Sequence, residues 1–406
     1  MNRLVMHGCI AMGMAMAGSA GAAAAGADEV RALVAEMMRD AEGRASLLRA
    51  TAGGAGHDGV FFIESPDGDF RLEVTGFVQF RYGAAFFDDD ATDEFEGGFE
   101  FNRNRLTFQG HVFSPALTYK VTQSFRGSGE GNARLSDAYV EWAATEETAV
   151  TAGQFKLPFL REELASAKRL LASDRSTANS VFTQGRSQGA QIAWGTERVS
   201  LAGAFSDGLE SSNTAFTDDP ADWAVTGRAE AALVGSLRDF REFRSPRGSA
   251  FAAMIGAAAH AQGKDDAAPD EAEALFSWTA DLGLRGDGWH VFAAYMGREI
   301  EAGGSPERFV DQGVVAQGSM FVSDTVAPFA RWDVVLPDGD REGDDPFNTV
   351  TLGANWYIHG HAAKLTVEAR VFLDDAADND LVAGIDALSG GGGADAAISA
   401  QFQIIY

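Results

Sequence analysis

From Phe70 to Tyr406 apolar residues recur at every second position, in runs of about ten residues, and this alternation commits the chain to β-structure. Phe70, Leu72, Val74, Gly76, Val78, Phe80 and Tyr82 share one parity. Arg71, Glu73, Thr75, Gln79 and Arg81 take the other, with Phe77 as the exception. Leu106, Phe108 and Val112 alternate in the same way with Arg103, Arg105, Thr107, Gln109 and His111. Phe276, Trp278, Ala280, Leu282 and Leu284 face away from Ser277, Thr279 and Asp281. The pattern returns around Leu352 and Val367, and again in Ile398, Ala400, Phe402, Ile404 and Tyr406. Side chains two apart lie on one face of a strand, so every segment has an apolar and a polar side.

Two architectures accept such strands: a soluble sandwich with the apolar side inward, or a membrane barrel with it outward. Soluble strands average about five or six residues, whereas a tilted strand needs about nine to eleven to cross a bilayer. The runs here fit the second length. Connections also alternate. Residues 114–116, 145–147, 196–197, 286–288, 323–324 and 359–362 are short turns. Residues 88–98, 159–185, 207–222, 264–271, 337–346 and 374–395 are longer and mostly acidic. Short turns at one end and long loops at the other mark an outer-membrane barrel. The expected fold is all-β: a transmembrane antiparallel β-barrel over residues 60–406, with about 16 strands and a short N-terminal helix before it. The expected strand centres are Phe77, Leu106, Val121, Val140, Gly153, Gln191, Leu201, Arg228, Met254, Asp281, Phe292, Ala316, Ala330, Leu352, Val367 and Phe402.

Residues 1–27 read as a secretory signal peptide, with Arg3, an Ala/Gly/Met-rich core, and Ala25-Gly26-Ala27 before Asp28. Residues 28–59 read as a short periplasmic helix, with Val30, Leu33, Val34 and Met37 on one face, and a Gly-rich linker. The expected location is therefore the bacterial outer membrane, with membrane lipid as a partner. The one cysteine, Cys9, excludes a disulfide scaffold, a zinc finger and a thiol enzyme. A net charge of −27 argues against nucleic acid, which needs a positive footprint. The histidines show no metal-ligand spacing, and neither Gly-x-Ser-x-Gly nor a nucleotide-binding loop occurs. No enzyme, metal or cofactor is expected. Acid clusters at 88–96 and 338–345 match no calcium loop and read as solvated surface.

Several segments follow one another in an order that resembles a known family. They are Gly68-Asp69-Phe70-Arg71-Leu72, Gly76-Phe77-Val78-Gln79-Phe80, Arg103-Asn104-Arg105-Leu106, Leu135-Ser136-Asp137-Ala138-Tyr139-Val140 and Gly153-Gln154-Phe155-Lys156-Leu157-Pro158-Phe159. Together with Glu162-Glu163 and Asp174-Arg175-Ser176, they resemble the phosphate-selective porins of the O/P type over about residues 68–185. The resemblance implies a sixteen-stranded, homotrimeric porin that passes small hydrophilic solutes, phosphate or polyphosphate in its best-understood members.

In a barrel of this kind the polar parity lines water, so its ionisable groups set which ions pass. The basic set is Arg81, Arg103, Arg105, Lys120, Lys156, Arg228, Arg331 and Arg370. The acidic set is Asp137, Glu141, Asp281 and Glu368, with Glu73, Glu230 and Asp333. Arg103 and Arg105 are one strand repeat apart and resemble the start of the family's arginine ladder. With so many acids present, mutual neutralisation of most arginines is an equal reading, and it describes a moderately selective general porin. The segment 159–185 is a candidate constriction loop, carrying Lys168, Arg169 and Arg175. The alternative to a diffusion channel is a non-transporting barrel that serves as a structural anchor or adhesin.

Overall fold

In the computed structural model the residues described are 36–39, 54–89, 92–125, 133–215, 221–263, 274–301, 308–341, 343–382, 385, 388 and 394–406. Of the first unit, Met1–Gly53, the described part is the helical turn 36–39, in which Met37 and Met38 are exposed. The expected signal peptide and the rest of the expected helix lie outside the described residues.

The second unit, Gly54–Tyr406, is a closed antiparallel β-barrel. Two short strands precede it, β1 (Gly54–His57) and β2 (Phe61–Glu64). The first half of the wall is β3 (Arg71–Asp89), β4 (Thr92–Val112), β5 (Ser114–Phe125), β6 (Ala133–Ala143), β7 (Thr148–Lys156), β8 (Arg186–Gly195), β9 (Val199–Ser206) and β10 (Trp223–Val234). The second half is β11 (Ala252–Gly263), β12 (Ala274–Gly286), β13 (Trp289–Glu301), β14 (Arg308–Met320), β15 (Val326–Leu336), β16 (Phe347–His361), β17 (Ala363–Phe372) and β18 (Ala396–Ile405). Each strand pairs with the next, and β18 closes on β3 from Phe77↔Ile405 to Phe86↔Ala396. Gly76 and Tyr406 exchange backbone hydrogen bonds at the end of this seam. Each of the sixteen expected centres lies within its barrel strand.

Which way the apolar stripe faces decides the architecture. Leu352 is 58% and Val367 50% exposed, while their chain neighbours Thr351 and Thr366 are fully buried. The same contrast separates Ile398 and Phe402 from Gln401 and Gln403. The greasy face therefore looks outward and the polar face into the lumen, the reverse of a sandwich.

The structure corrects two expectations and adds an exception to the short turns at one end of the barrel. The expected loop at 88–98 is largely strand: β3 runs to Asp89 and β4 starts at Thr92, with Phe86 opposite Phe95 and Asp89 opposite Thr92. Aromatic cross-strand pairs, Phe86–Phe95 and Tyr82–Phe99, hold the extended hairpin. Within the expected flexible linker, residues 54–57 form β1, paired with β2. Finally, β11 begins only at Ala252, and residues 235–251 form a long connection at the short-turn end. Its Ser236 and Asp239 make a capping box, and Phe240 and Phe243 are buried.

Gly153, in the middle of the Gly-Gln-Phe-Lys motif, has φ +128°, and a Cβ there would overlap the Ala138 carbonyl oxygen on β6. Replacing it costs both backbone strain and close strand approach. We expect Gly153→Ala to lower barrel stability by about 1–3 kcal/mol. The folded fraction over a urea series, read by electrophoresis of unheated samples, measures this; an unshifted midpoint would contradict it.

Candidate functional site

The connection between β7 and β8, residues 157–185, turns inward instead of leaving the barrel. It carries two short helices, α1 (Arg161–Leu164) and α2 (Thr177–Phe182), the second capped by Ser176, whose Oγ accepts from Asn179 N at 3.0 Å. Phe159, Leu160, Leu170, Leu171, Ala178 and Phe182 are fully buried. They form one apolar cluster with Phe292, Met296, Val315, Phe329, Val335, Phe347 and Phe372 of β13 to β17. Those wall residues point into the lumen, where water would leave them exposed. Each large side chain so covered contributes about 1.5–3 kcal/mol, which is why the loop lies against this wall.

Charged staples complete the docking. The Asp174 carboxylate takes Arg81 and, at 2.7 Å, Arg103, while Arg81 also pairs with Glu100 at 2.6 Å. Arg331 donates to the Asp174 carbonyl at 2.9 Å and lies 3.7 Å from Glu162. Arg370 pairs with Glu368 at 2.8 Å, and that carboxylate accepts from the Ser173 backbone at 2.9 Å. Arg228 bridges Glu230 and Asp281 and donates to the Phe159 carbonyl at 2.7 Å. Lys156 and Arg175 hold Glu163 at 3.1 and 2.9 Å. Lys364 donates to the Leu170 carbonyl, and Asn355 to that of Leu171. Phe243 N, from the connection 235–251, donates to the Arg169 carbonyl at 3.4 Å, so the loop also touches the opposite end of the barrel.

Among the described residues, two cavities lie along the first half of the wall. An inner cavity of about 340 Å³ is lined by Thr75, Phe77, Arg105, Gln109, Lys120, Asp137, Glu141, Lys156, Lys168, Arg186 and Gln191. An outer cavity of about 410 Å³ is lined by Arg81, Asn102, Arg103, Arg105, Glu163, Asp174, Arg175, Asn179 and Glu210. Arg105 lines both. It has no ion-pair or hydrogen-bond partner among the described residues, and its Nε is buried without one. Its guanidinium stands 5.9 Å from the Phe77 ring, and the Lys168 ammonium 5.7 Å from the same ring. Lys120 and Arg186 share Asp137 at 2.9 and 2.8 Å, and Glu141 accepts from Thr151.

The expected basic set therefore divides. Arg228, Arg331 and Arg370 sit behind the loop as staples, and Arg81, Arg103, Lys156 and Arg175 are paired at the cavity edge. Arg105, Lys120 and Lys168 line the inner cavity. Asp281 and Glu368 are likewise staple partners, whereas Asp137 and Glu141 line the inner cavity. Sequence reasoning gave no site role to Arg186, Asp174 or the docking phenylalanines, although Asp174 and Phe159 lie in the segments that carry the family resemblance. Phe77, the apolar residue at polar parity, was the available signal, because it marks a lumen face that a loop covers.

The sequence matches the family description phosphate-selective porin O and P over residues 74–318. The chain belongs to that family. No curated protein matches it. The fold is similar to the anion-selective porin from Comamonas acidovorans, at 11% identity and a TM-score of 0.56, covering 82% of this chain and 99% of that one. It is similar to the outer-membrane channel DcaP of Acinetobacter baumannii, at 14% identity and a TM-score of 0.54, covering 87% and 100%. It is also similar to the trimer form of in-vitro folded OmpT of Vibrio cholerae, at 9% identity and a TM-score of 0.55, covering 82% and 99%. Family and fold make this protein an outer-membrane porin, a diffusion channel.

The inner loop carries its own titration. Burial opposes ionisation of Glu163, but Arg175 and Lys156 outweigh it and hold the carboxyl at about 2, below its ordinary 4.5. A depressed carboxylate stabilises the folded loop fully above pH 4.5 and loses that contribution as pH falls toward about 2. We expect single-channel conductance to be steady from neutral pH down to about 4.5, then to rise or become noisy below it as the loop loosens. Conductance that stays flat through this acid window would mean Glu163 does not hold the loop.

Proposed function

We propose that the two cavities are successive parts of one aqueous path along the first half of the wall, and that the path moderately prefers anions. The observation that carries this is Arg105, a guanidinium that lines both cavities and has no acidic partner among the described residues. Lys120 and Lys168 line the inner cavity on one side of it, and Arg103 and Arg175 line the outer cavity on the other. An anion passing here exchanges part of its hydration for charge-assisted hydrogen bonds from a fixed donor, then leaves because a single free guanidinium holds it weakly. Diffusion down a gradient needs no cofactor and no energy input.

Pairing argues for moderation. A ladder of free arginines would bind phosphate strongly, but Arg81 and Arg103 are satisfied by Asp174, and Arg331 and Arg370 lie behind the loop. The acidic loops also repel anions from the mouth within about 8 Å, the screening length at physiological salt. Passage of small hydrophilic anions in general fits these groups better than strict phosphate selectivity.

Arg105→Gln is expected to lower the anion-to-cation permeability ratio, while Arg331→Gln leaves the ratio unchanged and reduces stability instead. Zero-current potentials under a KCl gradient report the first effect, and urea midpoints the second. A ratio unmoved by Arg105→Gln would remove that residue from the path.

We also propose that the barrel works as a homotrimer. The family resemblance and the trimer form of the similar OmpT fold support this. Native mass spectrometry of detergent-purified protein should give three times the chain mass, and a monomer peak alone would refute it.

A further inference from the structure

The outer cavity offers more than a cation. Its Arg81 and Arg103 are held by Asp174, and its Arg175 by Glu163. Two lining charges have no ion-pair partner among the described residues: Arg105 of β4, and Glu210 of the connection from β9 to β10. Glu210 is exposed to the cavity water but fixed in place. Its backbone N–H donates to the Gln184 carbonyl at 3.2 Å, and its side chain lies over Gly185 at the end of the inner loop. It holds φ 52°, a conformation that non-glycine residues rarely adopt.

A third group points the same way. Asn179, on α2, lines this cavity and is almost fully buried, yet its Oδ1 has no donor among the described residues. The cavity therefore combines an unsatisfied donor group, Arg105, with an unsatisfied acceptor and an unpaired carboxylate. Chloride would satisfy only the first and a metal cation only the other two, while a hydrogen phosphate, which can donate to Asn179, brings its own negative charge against Glu210. Ser124, Ser180 and Thr183 supply hydroxyls, and about 410 Å³ lies within the range of small-ligand pockets.

We propose that the outer cavity is a binding subsite for zwitterionic solutes, free α-amino acids above all, whose carboxylate meets Arg105 while the ammonium donates to Asn179 and Glu210. This rests on the reading that the cavity belongs to the water path. The subsite concentrates such solutes above the inner cavity, so that they enter it ahead of neutral molecules of equal size.

The test uses the full-length protein in planar bilayers with KCl and three probes of similar size. L-glutamine has both charges, N-acetyl-L-glutamine keeps only the carboxylate, and L-glutaminamide keeps only the ammonium. L-glutamine should interrupt the current saturably, with a half-saturation on the order of tenfold below either analogue, the size of one charge-assisted hydrogen bond. Glu210→Gln should bring L-glutamine down to the level of N-acetyl-L-glutamine. Arg105→Gln should bring it down to the level of L-glutaminamide. Equal interruption by all three probes, or L-glutamine binding untouched by Glu210→Gln, would overturn the subsite while leaving the channel intact. Absence of any stepwise KCl current would instead overturn the water path itself. Glu210 lies outside the barrel strands, so its variant carries the test even if Arg105→Gln fails to assemble.

Discussion

Hydrocarbon can satisfy neither a backbone N–H nor a C=O, and everything else in this protein follows from that constraint. A sheet inside a bilayer must close on itself, so β18 has to find β3, and the seam is completed by the paired Gly76 and Tyr406. Closure turns one parity of every strand toward lipid and encloses the other. The interior is then too wide to be filled by wall side chains alone, and the chain itself supplies the filling.

The inner loop answers this in an uneven way. It lies against β13 to β17 because those strands present phenylalanines and small apolar residues to the lumen, and it is fastened by carboxylates to arginines projecting from the wall. Buried ion pairs of this kind recover little net energy after desolvation, but losing one partner strands a charge and costs about 3–5 kcal/mol. They therefore specify where the loop sits more than how stable the barrel is. With one half of the lumen packed, water is left along the other half, and selectivity depends on the few groups there that lack partners. Arg105 owes its importance to the fact that Asp174 is engaged elsewhere.

The parity of the strands was readable from residues such as Leu352 and Val367 against Thr351 and Thr366, because a period of two survives whatever the strands pack against. Sixteen centres followed from it. Where side chains are small or charged runs interrupt the pattern, the reading slipped. The acids of residues 88–98 suggested a loop, but pairing of Phe86 with Phe95 carried the hairpin on. Residues 235–251 carry no alternation to follow, and their burial of Phe240 and Phe243 depends on partners far along the chain.

The sequence alone determined that the chain is a barrel of about sixteen strands and which side chains enter the lumen, since these depend on local alternation and on the chemistry of lipid. It could not determine which of those lumen groups are free. A guanidinium is neutralised or left open by a carboxylate many residues away, as Arg103 by Asp174, and that choice is made only when the loop docks. The division of the lumen into a packed half and a wet half is therefore a tertiary property, set by complementarity between a loop and a wall that no local pattern encodes.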